Sequence, residues 1–170
     1  MIEIIRAVRK NELRALLDLY KNVNYHALKD GDSLGNELNG DDPEIPVDDK
    51  IKALWNEILA DPEQHYLVAE VDGKLVSSCV LVVIKNLTRN ASPYALIENV
   101  VTHPDYRNRG IGTRLLKRAQ KTAKERGCYK VMLLTGRMEA ISFYQKAGFD
   151  GGSKTGFIIR FDGRGADDSP

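Results

Sequence analysis

The sequence predicts an α/β fold in which about four helices pack on a mixed central β-sheet of about six to seven strands. Apolar runs of strand length alternate with stretches of helical periodicity along the chain, which is typical of a layered α/β domain. The 170 residues suit one domain, and neither an internal repeat nor a shift in composition marks a second one. We therefore assign residues 1–162 to a single domain and residues 163–170, which are short and polar, to a flexible C-terminal tail.

The first half of the domain is predicted as strand, helix, loop and helix. Residues 2–8 are apolar enough for a first strand, and leucines at helical spacing between Leu13 and Tyr20 predict a first helix. Residues 24–47 are polar, acidic and glycine-bearing, which predicts a long loop. Helical periodicity returns over residues 51–59, and an Asp-Pro pair then ends that helix.

The second half begins with a hairpin and then alternates strand and helix. Residues 66–71 and 74–84 flank Asp72-Gly73, which is a strong signal for a two-residue turn. After a loop over residues 85–93, the pattern predicts strands over 94–102, 129–135 and 154–161 and helices over 110–126 and 138–147. The first of these helices carries one apolar stripe at helical spacing, formed by Ile111, Leu115, Leu116, Ala119 and Ala123. This stripe predicts the face that packs on the sheet.

Composition and charge exclude several classes of protein. The net charge is +1, and the basic helix over residues 113–126 has no interleaved aromatic residues, so we do not expect nucleic-acid binding. No run approaches about eighteen apolar residues and the N-terminus lacks the features of a signal peptide, so we expect no membrane span and a cytoplasmic location. Cys79 and Cys128 lie far apart, and the three histidines show no zinc spacing, so we expect neither a disulfide framework nor a metal site.

The segment from Arg107 to Thr113 is the most informative part of the sequence. It reads Arg-Asn-Arg-Gly-Ile-Gly-Thr, and it joins an apolar strand to an amphipathic helix. Such a turn presents free backbone N–H groups and the positive end of the helix dipole, which together bind phosphate. A dinucleotide-binding fingerprint is excluded because Leu115 stands where the third glycine is required, and no Gly-Lys-Ser/Thr triplet of a Walker loop occurs.

The remaining pattern, Arg107-x-x-Gly110-x-Gly112, resembles the pyrophosphate-binding motif of the GNAT superfamily of N-acetyltransferases. The stretch from Phe143 to Phe149 resembles the later motif of the same superfamily, in which a helical tyrosine faces the sulfur of coenzyme A. The resemblance implies a single-domain GNAT fold that is splayed at the fourth strand. It also implies that acetyl-CoA is the cosubstrate and that its acetyl group moves directly to a primary amine.

The resemblance assigns a set of cofactor-binding residues. They comprise the end of the fourth strand, where a backbone amide serves as oxyanion donor, the glycine-rich turn, and one aromatic residue of the last helix. These residues are Val100, Val101, Thr102, Arg107, Asn108, Arg109, Gly110, Ile111, Gly112, Thr113 and Phe143. Within the superfamily, residues 97–100 and 128–131 are loosely similar to the glucosamine-phosphate N-acetyltransferase branch, although Asn99 stands where that branch usually has aspartate.

Acetyl transfer to an amine requires an acid for the leaving thiolate and a base for the attacking ammonium. The resemblance assigns the acid to Tyr144, since a phenol remains protonated at neutral pH. The position of Tyr144 on an apolar helix face fits an ordinary core aromatic as well. Glu98 is the leading base: in a regular strand it shares a face with Val100, and burial there would make its carboxylate a better proton acceptor. A surface or ion-paired glutamate fits equally, and His103 is the rival base.

The acceptor is expected to be a small-molecule amine. The acidic residues 24–47 would attract cationic amines, whereas Arg89 or Arg137 would suit a sugar phosphate. Arg137 stands where the superfamily often has asparagine. Two alternatives stay open, a non-catalytic acetyl-CoA-binding sensor and a protein acetyltransferase that acts on lysine or an N-terminus. A homodimer formed through the C-terminal strand stays open too.

Overall fold

In the part of the chain that the structure describes, five strands form a central sheet, in which they are arranged in the order in which they occur in the chain. The computed structural model describes residues 2–21, 46–159 and 161. The strands are β1 (Glu3–Ala7), β2 (Gln64–Val71), β3 (Lys74–Ile84), β4 (Tyr94–Thr102) and β5 (Val131–Met132). The helices are α1 (Leu13–Tyr20), α2 (Asp49–Ala60), α3 (Thr88–Ala91), α4 (Ile111–Glu125) and α5 (Ile141–Lys146).

The strand pairing makes the sheet mixed, as predicted. Strands β1 to β4 pair antiparallel in sequence order, and β5 joins β4 in parallel after the α4 crossover. The predicted hairpin between β2 and β3 turns at Asp72 and Gly73, whose φ values are 48° and 84°. Positive φ at both turn residues matches the twist of the flanking strands.

The predicted number of elements is wrong, although the fold class is confirmed. The described residues hold five strands and five helices instead of six to seven strands and four helices. β5 covers only part of the predicted strand 129–135, and residues 154–159 are irregular where a last strand was predicted. The additional helix, α3, lies inside the predicted loop 85–93 and is a single turn whose last three residues have φ near 56°.

A β-bulge in β4 accounts for the shortness of β5. Ser78 pairs with Val101 and Val80 pairs with Glu98, which leaves two residues of β4 opposite one residue of β3. The bulged residue, Asn99, has a φ of 52°, and a bulge bends its strand and increases its twist. β5 pairs with only two residues of β4, and both precede the bulge. We call the β4 backbone after this point, residues 97–102, the open edge.

Helices cover both faces of the sheet. On one face α4 and α5 contribute Leu115, Leu116 and Tyr144 to a buried cluster with residues of β2, β3 and β4. On the other face, Leu16 of α1 and Trp55 of α2 pack against Val68 and Leu75. The predicted apolar stripe of α4 is confirmed, since each of its five residues is buried. The bounds of α1 agree with the prediction, and α2 extends slightly beyond it.

Several predictions concern parts of the chain that lie outside the described residues. They include most of the acidic loop, residues 24–45, and the tail, residues 163–170. Within the described segments, no helix has both the length and the apolarity needed to cross a membrane. Cys79 and Cys128 are free thiols, and burial raises the pKa of Cys79 to about 12. The Cys79 thiol is therefore an inert core group at neutral pH.

Candidate active site

A cleft of about 850 Å³ lies between the open edge of β4, the N-terminus of α4 and the helix α5. The predicted site residues that line it are Val100, Val101, Thr102, Arg107, Asn108, Gly110, Ile111, Gly112, Thr113, Phe143 and Tyr144. Two predicted site residues, Arg109 and Glu98, are not among the lining residues. The fold thus brings the glycine-rich turn and the candidate acid to one cleft, although most of α4 and the strand β5 separate them in sequence.

The glycine-rich turn leaves the N-terminus of α4 uncapped. Gly110 is the N-cap residue with a φ of 74°, a left-handed conformation that glycine adopts without strain, and no side chain caps the helix. Arg114 N donates to Gly110 O at 3.0 Å, which is the first helical hydrogen bond. The preceding N–H groups, at residues 111–113, therefore have no acceptor within the helix. This arrangement is suited to an oxyanion such as a diphosphate.

Gly112 permits the close approach of α4 to its neighbours. A Cβ at this position would lie 3.1 Å from Thr102 Oγ1 and 3.1 Å from Phe143 Cζ, closer than ordinary van der Waals contact. The helix end thus sits directly against the end of β4 and against α5. The residues present therefore fit the pyrophosphate group of coenzyme A, with N–H donors at the helix end and no side chain at Gly112 to separate the three elements.

Three arginines near the turn occupy different environments. Arg107 Nε donates to Thr102 O at 3.0 Å, which holds the side chain along the cleft. The Arg109 guanidinium lies 5.3 Å from the centre of the Tyr106 ring, which itself lines the cleft. Arg114 Nε donates to a Glu3 carboxylate oxygen at 2.7 Å, so its charge is paired. Of these three arginines, Arg107 is the one that lines the cleft.

Tyr144 is both a core residue and a cleft residue. Its side chain is 8% exposed, and its ring lies 5.0 Å from the Phe143 ring and 6.3 Å from the Phe149 ring. Burial raises the pKa of Tyr144 above its usual value, and the nearby Arg137 cation partly opposes this rise. The two readings left open by the sequence are therefore compatible, and the phenol is protonated at neutral pH.

Glu98 lies on a different face from the one predicted. The bulge at Asn99 breaks the alternation of β4, so that Val100 packs against the cluster under α4 and α5 while Glu98 pairs with Val80 and is exposed. The expectation that Glu98 shares a buried face with Val100 is therefore wrong. Its carboxylate still lies close enough to Tyr144 to contribute to the raised pKa of that phenol.

His103 caps the short 3₁₀ helix Pro104–Tyr106. Its Nδ1 accepts from Asp105 N at 3.3 Å, and its ring makes an edge contact with Tyr106 at 5.7 Å. His103 does not line the cleft. These contacts give it a local structural role.

Sequence reasoning did not assign six residues that line the cleft as site residues: Tyr106, Arg137, Glu139, Ala140, Ser142 and Lys146. Three of them, Glu139, Ala140 and Lys146, are three or four residues from Phe143, so that a helix that turns Phe143 toward the cleft brings them along. The sequence signal that could have identified these residues is therefore the helix face that carries Phe143. No group of three or more metal-ligating side chains occurs in the described part of the chain.

Comparisons with known proteins agree with this geometry. A model of the acetyltransferase (GNAT) family matches residues 32–149. Glucosamine 6-phosphate N-acetyltransferase from Trypanosoma brucei brucei is 35% identical over 45% of this chain and 52% of its own length. Glucosamine 6-phosphate N-acetyltransferase 1 from Oryza sativa subsp. japonica is 30% identical over 66% of this chain and 70% of its own.

A solved structure named "Putative acetyltransferase" from Agrobacterium tumefaciens str. C58 superposes on the chain with a TM-score of 0.77 at 40% identity. The superposition covers 92% of this chain and 99% of that one. The chain spans about half the length of the trypanosome relative. The similarity over the whole fold therefore rests on the match to the solved structure.

Proposed function

Since the chain belongs to the acetyltransferase (GNAT) family, whose members use acetyl-CoA, we propose that it moves an acetyl group directly from acetyl-CoA to the primary amine of a small molecule. One observation carries the proposal. The uncapped N-terminus of α4 and the Tyr144 side chain line the same cleft, beside the open edge of β4. Thioester aminolysis can use each of these parts: N–H donors that bind the diphosphate of the cofactor, a phenol that protonates the leaving thiolate, and backbone groups of the open edge.

Cofactor binding is assigned to the turn and to Arg107. The N–H groups of residues 111–113 have no acceptor within the helix, and the helix dipole adds positive potential at the same point. Arg107 supplies a full charge at the cleft wall, oriented by Thr102 O. Arg109, held on the Tyr106 ring, contributes to the field at the cleft mouth rather than to a direct contact.

Tyr144 is proposed as the acid. Its hydroxyl is a proton donor across the physiological range because burial raises the pKa of the phenol. When the C–S bond breaks, the thiolate needs a proton or a strong hydrogen bond, and Tyr144 lies on the cleft wall that faces the open edge. The ring of Tyr144 packs against the rings of Phe143 and Phe149, which restricts its position in the cleft wall.

Glu98 is proposed as the base that accepts the ammonium proton through water. It is exposed on β4, on the opposite face from α4, and its charge reaches Tyr144 across the strand. An acceptor amine placed over the open edge would then lie between a proton acceptor and a proton donor. Glu98→Gln is expected to lower kcat/KM most strongly at neutral pH, where most of the amine is protonated.

The proposed acceptor is a small amine. The lining of the cleft and the acidic residues of the chain favour different charges on the rest of that molecule. Arg137 lines the cleft and forms no ion pair with a carboxylate among the described residues, which favours an acceptor that carries an anionic group. Both named relatives act on glucosamine 6-phosphate by their names. The acidic residues between α1 and α2 favour a cationic amine instead.

A panel of amines, read through free-thiol release from acetyl-CoA, tests the proposal. The panel contains phosphate-bearing amino sugars, neutral amino sugars, polyamines and lysine-containing peptides. Tyr144→Phe is expected to lower kcat at least tenfold with little change in the Kd of CoA. Tyr129→Phe is the matched control, because Tyr129 is partly exposed and lies outside the cleft lining; it should behave as wild type.

Each other outcome identifies a different function. Tight CoA binding without turnover on any amine would overturn the proposal in favour of a sensor. Turnover on peptides alone would replace the small-molecule acceptor by a protein. Turnover that is unchanged in Tyr144→Phe would remove that tyrosine from the mechanism while the transferase activity stands.

A further inference from the structure

Arg114 lies in the first turn of α4, and its guanidinium folds back onto the glycine-rich turn. Arg114 Nη1 donates to Arg109 O at 3.3 Å. A Cβ added at Gly110 would lie 2.9 Å from the same nitrogen, so the guanidinium rests against that glycine. Within the described residues 107–113, Arg109 alone does not line the cleft. The hydrogen bond from Arg114 to the turn is therefore made outside the cleft lining.

The guanidinium is itself held by the first strand. Arg114 Nε donates to one carboxylate oxygen of Glu3 at 2.7 Å, and Nη2 donates to the other. Such a two-point contact fixes the plane of the guanidinium. The hydrogen bond from Arg114 holds the pKa of Glu3 below its usual 4.5, so the pair is ionised and intact at neutral pH. Glu3, 111 residues away in sequence, thus sets the direction of the Nη1 donor.

The turn has a conformation that needs support from its surroundings. Asn108 and Gly110 have φ values of 60° and 74°, which places a left-handed residue on each side of Arg109. Left-handed backbone is unfavourable for residues with a side chain, although asparagine tolerates it better than most. Such a conformation persists where contacts with the rest of the structure hold it. The hydrogen bond from Arg114 to Arg109 O, at the centre of the turn, is a contact of this kind.

The ion pair between Glu3 and Arg114 is poorly suited to a role in stability. The Arg114 side chain is about half exposed, and ion pairs exposed to water contribute little to stability. Glu3 also places a carboxylate beside the helix end proposed to bind a diphosphate, where a negative charge alone would weaken anion binding. A carboxylate at this position therefore favours binding only if it orients the arginine.

We propose that Glu3 and Arg114 are positioning residues of the proposed cofactor site. Glu3 orients the Arg114 guanidinium, and Arg114 holds residues 108–110 in the conformation that presents the N–H groups of residues 111–113 to the diphosphate of acetyl-CoA. The inference rests on the proposed function and deepens it, because it extends the cofactor site to β1. Since β1 contributes no residue to the lining of the cleft, any effect of Glu3 on CoA binding is indirect.

Glu3→Gln separates positioning from the electrostatic field, because the two predict opposite changes. By its field alone, removal of a negative charge near the site should tighten CoA binding. If Glu3 positions the turn, the Kd of CoA, measured by isothermal titration, should instead rise about fivefold. Asp105→Asn is the matched control, since it also removes a carboxylate near the turn, and the Asp105 carboxylate contacts only His103 among the described residues. Its Kd should stay equal to that of wild type or fall.

Arg114→Lys keeps the charge and removes the geometry. A single ammonium does not bridge Glu3 and Arg109 O as the planar guanidinium does, so the Kd of CoA should rise about three- to tenfold. Adding Glu3→Gln to Arg114→Lys should then have little further effect, because the two residues act through one contact. Arg118→Lys, at an exposed arginine one turn further along α4, is the control and should bind CoA as wild type does. Melting temperatures of all variants should stay within about 3 °C of wild type.

A measurement on the free protein makes the result independent of turnover and of CoA. The ¹H–¹⁵N heteronuclear NOE of residues 108–110 should be lower in Glu3→Gln and in Arg114→Lys than in wild type, because the turn loses its anchor. The same NOE should be unchanged in Asp105→Asn and in Arg118→Lys. If wild type acetylates no amine, the proposed function fails, and the CoA affinities and NOE values still decide the role of Glu3 and Arg114.

Three results would overturn the inference. The first is a Glu3→Gln protein that binds CoA as tightly as Asp105→Asn does. The second is a double variant in which the losses of Glu3→Gln and Arg114→Lys add fully. The third is an unchanged NOE at residues 108–110 in both single variants.

Discussion

Replacing Gly112 with alanine tests whether the close contact of α4 with β4 and α5 makes the anion-binding turn. The new Cβ would lie 3.1 Å from Thr102 Oγ1, 3.1 Å from Phe143 Cζ and 3.2 Å from Phe143 Cε2, where ordinary contact begins at 3.4 Å. The backbone at Gly112 is helical, so alanine meets no conformational strain. The added methyl group is accommodated only if Phe143, Thr102 or the helix end moves by a few tenths of an ångström.

Two opposing terms set the effect on stability. Alanine gains about 1 kcal/mol over glycine in helix propensity. Overpacking a well-packed site costs about 1–3 kcal/mol. The free energy of unfolding should therefore fall by about 0–2 kcal/mol. Binding should suffer more, because the N–H groups of residues 111–113 move with the helix end; we expect the Kd of CoA to rise about tenfold, or about 1.4 kcal/mol.

Isothermal titration with CoA and thermal unfolding measure the two effects. Gly136→Ala is the control, since an added Cβ there meets nothing within 4 Å and the residue does not line the cleft. The double variant Gly112→Ala/Phe143→Leu lacks one of the clashing groups. Compared with Phe143→Leu alone, it should therefore lose less affinity for CoA than Gly112→Ala loses compared with wild type. Wild-type affinity in Gly112→Ala, together with higher stability, would refute the argument that the turn needs this close approach.

Three further predictions concern other groups. Glu12→Gln should lower stability at pH 7 by about 1–2 kcal/mol, because Arg6 holds the pKa of Glu12 below its usual 4.5. That stabilisation is present above about pH 4.5 and is lost as the pH falls through the folded value, so urea unfolding at pH 3 should show a smaller difference. Arg137→Gln should raise the pKa of Tyr144 further, since it removes the cation that opposes burial; tyrosinate absorbance, with Tyr144→Phe as reference, should show the change, and an unmoved titration would count against the contact. At φ 52°, Asn99→Val should unfold with about 1–2 kcal/mol less stability than wild type, whereas Asn99→Gly should stay within about 0.5 kcal/mol; equal melting temperatures would contradict the bulge geometry.

Sequence patterns predicted the elements whose stability comes from their own periodicity or from a neighbour in sequence. The stripe of α4 and the hairpin around Asp72-Gly73 are found where the residues placed them. The failures are strands whose pairing depends on distant backbone. Residues 154–159 have strong strand propensity but pair with no described strand, so Phe157 remains 91% exposed.

The sequence motifs predicted those parts of the candidate site that lie within the motifs. The glycine-rich turn and Tyr144 come together in one cleft because α4 returns the chain to the same sheet edge. The orientation of Glu98 was not predictable, since one inserted residue reverses the alternation and asparagine at position 99 signals a bulge only weakly.

The agreement between strand order and chain order has a consequence for synthesis on the ribosome. β1 to β4 are complete once residue 102 has left the exit tunnel, and each strand can pair with the one before it. The anion-binding turn and the proposed acid come later: β5 joins β4 only after the α4 crossover, and α5 must then dock before Phe143 and Tyr144 line the cleft. A nascent chain that stops before α5 therefore has four paired strands and the helix end proposed to bind the diphosphate, but it lacks the phenol proposed as the acid.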